Sequence, residues 1–389
     1  MNFPIQEIWI DTEAADASLT KNIVRKFPQA KVIETDQKNA SRLMRELELA
    51  ADPFSRGKKI LRLIRHRGVF VKPCPGTPEY VCCGLKILHV GQGCPMDCRY
   101  CALQAYFNRP VLELFVNVED LFSDLTQYLK QNGDTFQRLC TGEFTDSLAL
   151  DNLTGLAPRL VEFFASVPNA SLEIKTKTDA IDPLLDVDPK GRVIMAFSVN
   201  ARGITRRDEL RAAPLQKRLE AALRTQKKGY LLAFHFDPIV PLQGWYEEYS
   251  STVDSIFRTV DSSRIAWISL GVLRFVAGLK EVAEARFGKI PYFHDGFLRG
   301  LDGKCRLHAD RRIEVYSRVA DRIRRHAPDA RIYLCMESPH VWKKSLGIDM
   351  QHDRDLEAYL NSALQKEVRP NQGGTSCKKF LPEPHLKNF

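Results

Sequence analysis

A chain of 389 residues, 44% hydrophobic and 27% charged, has the composition of an ordinary globular protein with material for one large core or two modest ones. It holds no unbroken apolar run of bilayer-spanning length, which excludes a helical membrane protein, and its start, MNFPIQEIWIDTEAADASL, lacks a secretory signal, so a cytoplasmic location is expected. The 57 Lys and Arg outnumber the 48 Asp and Glu, and the net charge of +9 suits a polyanionic partner such as DNA or RNA without requiring one.

Residues 1 to about 85 read as a small α/β region: a strand at EIWID (7–11), a helix over 19–27, a strand at KVIET (31–35) and a helical segment over 40–50. The basic stretch RGKKILRLIRHRG follows, with Leu61 and Ile64 on its apolar side. Its Arg56, Lys58, Lys59, Arg62, Arg65 and Arg67 are either phosphate contacts or a solvated face. From residue 86 short apolar runs alternate with amphipathic stretches. The runs are KILHV (86–90), FQRLC (136–140), SLEIKTK (171–177), RVIMAFSVN (192–200), YLLAFHF (230–236) and IAWISLGVL (265–273). One intervening helix begins near Asn117, with a plausible N-cap and a closing Gly. Strands alternating with helices imply a parallel sheet, and six such units predict an α/β fold, a partial (β/α)6 barrel of TIM type over 86–290. Such a barrel carries its chemistry where strands end and loops begin. Residues 291–389 read as a C-terminal α/β subdomain over the open side, with a helix RRIEVYSRVADRIRRHA, a strand RIYLCMES (331–338) and a polar tail. On that helix Arg311, Arg318, Arg322 and Arg325 share a narrow arc, again phosphate contacts or a solvated face.

Six of the ten cysteines fall between Cys74 and Cys101. Without a secretory signal a disulfide framework is not expected, and such crowding points to metal. Cys94, Cys98 and Cys101, in GCPMDCRYC, directly follow the first barrel strand. A structural zinc site takes four ligands, and a [4Fe–4S] cluster is usually held by four thiolates. Three thiolates on a cluster leave one iron open to a small molecule. A zinc site completed by a distant Cys or His, and reduced thiols without metal, are the competing readings. Cys74, Cys82 and Cys83 could serve a second metal centre, with Cys377, or be reduced thiols.

CPMDCRYC, with Tyr100 before its third cysteine, resembles the three-cysteine signature of the radical S-adenosylmethionine (SAM) superfamily. FHFDPIV…GWYEEY, ISLGVLRF, DGKCR and YLCMESPHVW are together similar to the spore photoproduct lyase family, over about residues 65 to 347. The resemblance implies a [4Fe–4S] cluster on Cys94, Cys98 and Cys101, whose open iron binds the amino and carboxylate groups of SAM. One-electron reduction would then give methionine and a 5′-deoxyadenosyl radical. It further implies a carbon–carbon lyase for a thymine-dimer photoproduct in DNA. The radical takes hydrogen from the dimer, the inter-base bond breaks, and hydrogen is returned. A reducing partner of flavodoxin or ferredoxin type is implied as electron donor. Gly142–Glu143 of CTGEF resembles the motif whose carboxylate holds the SAM amino group. Lys177, Ser198 and Asn200 match positions lining the SAM site, and Asp237 ends the fifth strand at the same mouth. Read without the resemblance, Glu143 could be a helix cap, Lys177 a surface lysine and Asp237 a turn residue.

The chain also departs from the family pattern. The family uses a cysteine hydrogen donor just after the second strand. Matching DSLALDNLT without a gap puts Glu143 there, with Cys140 three residues too early. Cys140 either reaches the site by a local shift or is a buried strand residue. Of the two relay tyrosines, Tyr100 fits the first, while Ala102 occupies the second position and Leu307 follows DGKCR where a tyrosine is expected. Tyr100, Cys140 and Glu143 are the candidate catalytic residues. Two rivals follow: a radical enzyme of the same family with another substrate, and a non-catalytic, metal-stabilised nucleic-acid-binding protein.

Overall fold

The computed structural model describes residues 3–365 except 78 and 108; the polar tail and Cys377 lie outside the described residues. Two sheets build the fold. The first runs in the order Lys31–Thr35, Glu7–Asp11, Ile60–Ile64, Leu112–Phe115, Gly91–Gln92, and its four longer strands are parallel. The basic stretch 56–68 therefore supplies a central strand. Ile60, Leu61 and Leu63 are buried in it, because a parallel sheet is covered on both faces. Arg62 is buried too and pairs with Asp11 at 2.7 Å and Glu113 at 2.9 Å, while Lys58 pairs with Asp97 at 2.7 Å. These two cations are structural rather than phosphate contacts. Arg65 and Arg67 stay outside and pair with Asp120 and Glu13.

The second sheet is a curled half-barrel of seven parallel strands: Lys86–Leu88, Gln137–Cys140, Ala170–Thr176, Val193–Ser198, Leu231–Ile239, Ile265–Val272 and Ile332–Leu334. Val71–Pro73 closes one edge in antiparallel pairing. All six predicted strands are present. The seventh is RIYLC, which the sequence placed in a separate subdomain; its Ile332, Tyr333 and Leu334 are all buried beside Ile268–Leu270. The strands are buried along nearly their whole length, with Val193–Ser198 buried at every position, as strands covered on both faces must be. Helices pack outside them, among them Leu156–Ala165, Leu215–Lys227 and Trp245–Thr259. The Asp151 carboxylate accepts from the N–H groups of Leu156 and Ala157 at 2.9 and 2.8 Å, capping the first of these.

Helix Ala309–His326 buries Val315, Tyr316, Val319 and Ile323 at helical spacing. Three of its four arc arginines are packed or paired, and Arg325 is exposed. Arg318 lies 3.7 Å over the Tyr246 ring, Arg322 donates to Asp254 at 2.7 Å, and Arg311 donates to Glu314 at 2.5 Å. No described helix is long and apolar enough to cross a membrane.

Candidate active site

The cysteine loop runs between the two sheets, leaving the first barrel strand and returning to the N-terminal sheet at Leu112. It enters through Gly93, whose φ of +80° favours glycine; a Cβ there would also sit 2.7 Å from the Val111 carbonyl oxygen. The middle of the loop is pinned by charge. Asp97 accepts from Lys58 and from Arg286 at 2.9 Å, and Arg286 also reaches Asp52 and Gln104. Burial alone would raise the Asp97 pKa, but Lys58 and Arg286 outweigh it and hold the carboxyl below its usual range. The buried Gln104 amide donates to the carbonyls of Cys98 and Cys101 at 3.1 and 3.4 Å, so the turn carrying the thiols has a fixed shape.

Cys94, Cys98 and Cys101 open onto a cavity of about 320 Å³ at the C-terminal ends of the barrel strands. Burial pushes the Cys94 thiol up to about 12, with Asp146 and Cys101 adding to it, and drives Cys98 well above its ordinary value. Without metal these are protonated thiols, and each metal bond formed there releases a proton. Among the described residues no three His, Cys, Asp or Glu side chains converge on a single ion position. A cluster does not require such convergence, because each thiolate takes its own iron.

The other walls come from the strand ends. Tyr100 lies beside the cluster cysteines, and its hydroxyl donates to Glu209. Glu209 pairs with Arg218 at 2.6 Å, and Arg218, fully buried, also donates to the Ser198 carbonyl at 2.9 Å. Burial first, and then the negative Glu209, raise the Tyr100 pKa. Gly142 and Glu143 follow the second strand. A Cβ on Gly142 would meet the Lys175 Cβ at 2.7 Å and its carbonyl oxygen at 2.9 Å, so the position has no room for a side chain. Glu143 accepts from Lys175 Nζ at 2.5 Å. Lys177, two residues on and so on the same face of the strand, lies 5.9 Å from the Tyr100 ring. Ser198 and Asp237 complete the rim, and Asp237 accepts from Arg274 at 3.2 Å. Gly271 makes room for this pair, since a Cβ there would stand 2.7 Å from the Asp237 carboxyl carbon.

The fold thus brings Cys94, Cys98, Cys101, Tyr100, Gly142, Glu143, Lys177, Ser198 and Asp237 to one cavity. Two candidates are elsewhere. Cys140 is fully buried in its strand, where its sulfur accepts from the Gly142 N–H at 3.2 Å; it does not line the cavity. The reading of it as a buried strand residue is the one the fold adopts. Asn200 is 1% exposed and ties the fourth strand's exit to the fifth by donating to the Pro238 carbonyl at 3.1 Å, so it supports the rim without facing it. Leu307 is core, whereas Ala102 lines the cavity. Sequence reasoning missed Lys175, Asp146 and Arg274. Asp146 is half-buried and receives the Lys177 N–H at 2.7 Å and the Leu148 N–H at 3.0 Å. The signal for Lys175 was its period-two spacing from Lys177.

A sequence model for spore photoproduct lyase matches residues 3–293. The chain belongs to the spore photoproduct lyase family. Relatives include the spore photoproduct lyase of Bacillus subtilis (strain 168), 30% identical over 200 residues, or 51% of this chain and 58% of the relative. The Geobacillus sp. (strain Y412MC61) spore photoproduct lyase is 26% identical over 288 residues, or 72% of this chain and 82% of the relative. The alignment thus spans less than two thirds of the Bacillus protein. Two solved spore photoproduct lyase structures share the fold at 23% identity, covering 86% of this chain and 100% of each. One, complexed with dinucleoside spore photoproduct, has a TM-score of 0.75; the other, a mutant with bound AdoMet and dinucleoside spore photoproduct, has 0.76.

Proposed function

We propose that this chain is a radical SAM enzyme, a carbon–carbon lyase that repairs a thymine-dimer photoproduct in DNA. The observation that carries the reading is the single cavity shared by Cys94, Cys98, Cys101, Glu143, Lys177 and Ser198 at the barrel mouth. The family and the ligands named in the solved relatives support the substrate. Cys94, Cys98 and Cys101 would hold a [4Fe–4S] cluster, and Glu143, Lys177, Ser198 and Asp237 would bind SAM around it. When bound, these groups supply one-electron reductive chemistry, fed by a flavodoxin- or ferredoxin-type donor in the cytoplasm.

The chain's own residues have definable tasks. Glu143 offers a carboxylate oxygen to an ammonium group, and Lys175 Nζ at 2.5 Å holds that carboxylate in position. The Asp237–Arg274 pair presents a guanidinium at the rim, suited to a carboxylate or phosphate. The Tyr100 hydroxyl donates to Glu209 Oε1, so that carboxylate would take the phenolic proton when a substrate radical, as the oxidant, takes the electron. The lesion must leave the base stack to reach a cavity at this depth.

A second reading keeps the radical chemistry and changes the substrate. It is favoured by the Glu143–Lys175 ion pair where the family resemblance implies a thiol, and by Ala102 on the cavity wall. Turnover of the dinucleoside photoproduct separates the two. Thymine-containing product released in step with SAM cleavage supports repair; robust SAM cleavage with no product assigns the enzyme another substrate.

A further inference from the structure

Behind the primary cavity lies a second one of about 330 Å³, and Met336 lines both. The chain crosses between them at the loop before the first barrel strand: Pro75 lines the first, its neighbours Cys74 and Gly76 the second. Four cysteines line this second cavity: Cys74, Cys82, Cys83 and Cys335. Three come from that one loop. The fourth follows the seventh barrel strand, some 250 residues along the chain, and only the fold brings it there. The packing is close, since a Cβ on Gly76 would stand 2.6 Å from the Cys82 sulfur. Two guanidinium groups attend the thiols. Arg274 Nη2 donates to the Cys335 sulfur at 3.3 Å, and Arg138 donates to the Cys83 carbonyl. All four are free cysteines, and the proposed reaction uses none of them.

Buried thiols of a reduced core sit singly among apolar neighbours; four in one cavity, with cationic donors at the sulfur and at the adjoining backbone, form a soft-ligand set. Among the described residues no three His, Cys, Asp or Glu side chains converge on a single ion position here, nor at Cys94, Cys98 and Cys101. That does not count against a cluster, whose irons are separate. We propose that Cys74, Cys82, Cys83 and Cys335 hold a second iron–sulfur cluster. Each thiol loses its proton to solvent as its sulfur–iron bond forms, and iron and sulfide enter from solution. The Arg274 donor then serves as an outer partner that steadies an anionic sulfur. This site stands independently of the proposed reaction.

The test is iron and sulfide analysis with Mössbauer spectroscopy on full-length chains reconstituted anaerobically with iron and sulfide. Three are compared: wild type, the Cys94→Ala/Cys98→Ala/Cys101→Ala variant, and the Cys74→Ser/Cys335→Ser variant, each checked for fold by circular dichroism. Wild type should carry about eight irons per chain, and each variant about four, in cubane-type signals. If the triple variant does not fold, the comparison of wild type with the double variant decides: a halved iron content supports the second cluster. Equal iron in those two, a folded triple variant with no iron, or zinc alone in the second cavity would overturn it.

Discussion

Tyr100 ties the cysteine loop to the barrel through one hydroxyl. The phenol reaches Glu209, and Glu209 is held in turn by Arg218, whose other nitrogens grip the backbone of the fourth strand and of Ala213. Tyr100→Phe keeps the ring and removes the bond. Hydrogen bonds to charged groups contribute about 1.5–3 kcal/mol, so urea unfolding should show a loss of that order with the fold intact. If Tyr100 relays the radical, product release should fall much further than SAM cleavage in the same variant. Equal losses in both assays would make the residue structural. At this scale the sequence was legible for residues at strand ends, because Gly142, Glu143, Lys177, Ser198 and Asp237 all sit where a barrel exposes its mouth. It was not legible for residues defined by a distant partner. Nothing local in CTGEF announces that Lys175 will pair with Glu143, or in YLCMES that Cys335 will face Cys74.

The strand Ile60–Ile64 shows how an element changes the meaning of its residues. As sequence, RGKKILRLIRHRG is a basic stripe. As a central parallel strand it buries Arg62 between Asp11 and Glu113, the latter 2% exposed. Arg62→Met should leave Asp11 without its cation and Glu113 with only Arg109 at 3.3 Å, and cost about 3–5 kcal/mol in thermal or urea unfolding. It should leave the salt dependence of the proposed DNA binding unchanged, since a buried arginine releases no phosphate counterion. A reduced salt slope would restore it as a phosphate contact. The turn after the first barrel strand carries a pH response. His89 is buried against Phe115 and Phe144, with Lys72 Nζ 3.2 Å from its Nδ1. Burial, then Lys72 and His66, push its pKa from 6.5 down to about 3. The unfolded chain takes up this proton below about 6.5, and the folded chain does not until about 3, so the neutral imidazole's stabilisation is complete above 6.5 and is lost as pH falls through that window. The urea midpoint should drop between pH 7 and pH 4, and His89→Phe should make that drop shallower; an identical pH profile would remove His89 from the account. The seventh strand shows the limit of sequence periodicity. Three apolar residues after a long helix read equally well as a subdomain strand, and only pairing with Ile268–Leu270 assigns them to the barrel.

At the scale of the whole molecule, the two sheets act as a clamp on one loop. The N-terminal sheet takes the loop's exit strand, the half-barrel supplies its entry strand, and Lys58 and Arg286 fix Asp97 between them. Arg311, Arg318 and Arg322 on the arc of helix Ala309–His326 are engaged by Glu314, the Tyr246 ring and Asp254, so three of its four cations already have partners within the chain. The fold class and the order of six barrel strands were readable from alternating apolar runs; the sharing of strands between the two sheets was not, since it depends on long-range pairing. What the clamp is for is decided by one comparison. Wild type and Cys98→Ala are reconstituted anaerobically with iron and sulfide, reduced, given SAM, and assayed for 5′-deoxyadenosine. The account expects deoxyadenosine from wild type and none from Cys98→Ala. No deoxyadenosine from wild type carrying a full cluster and a competent reductant would contradict it.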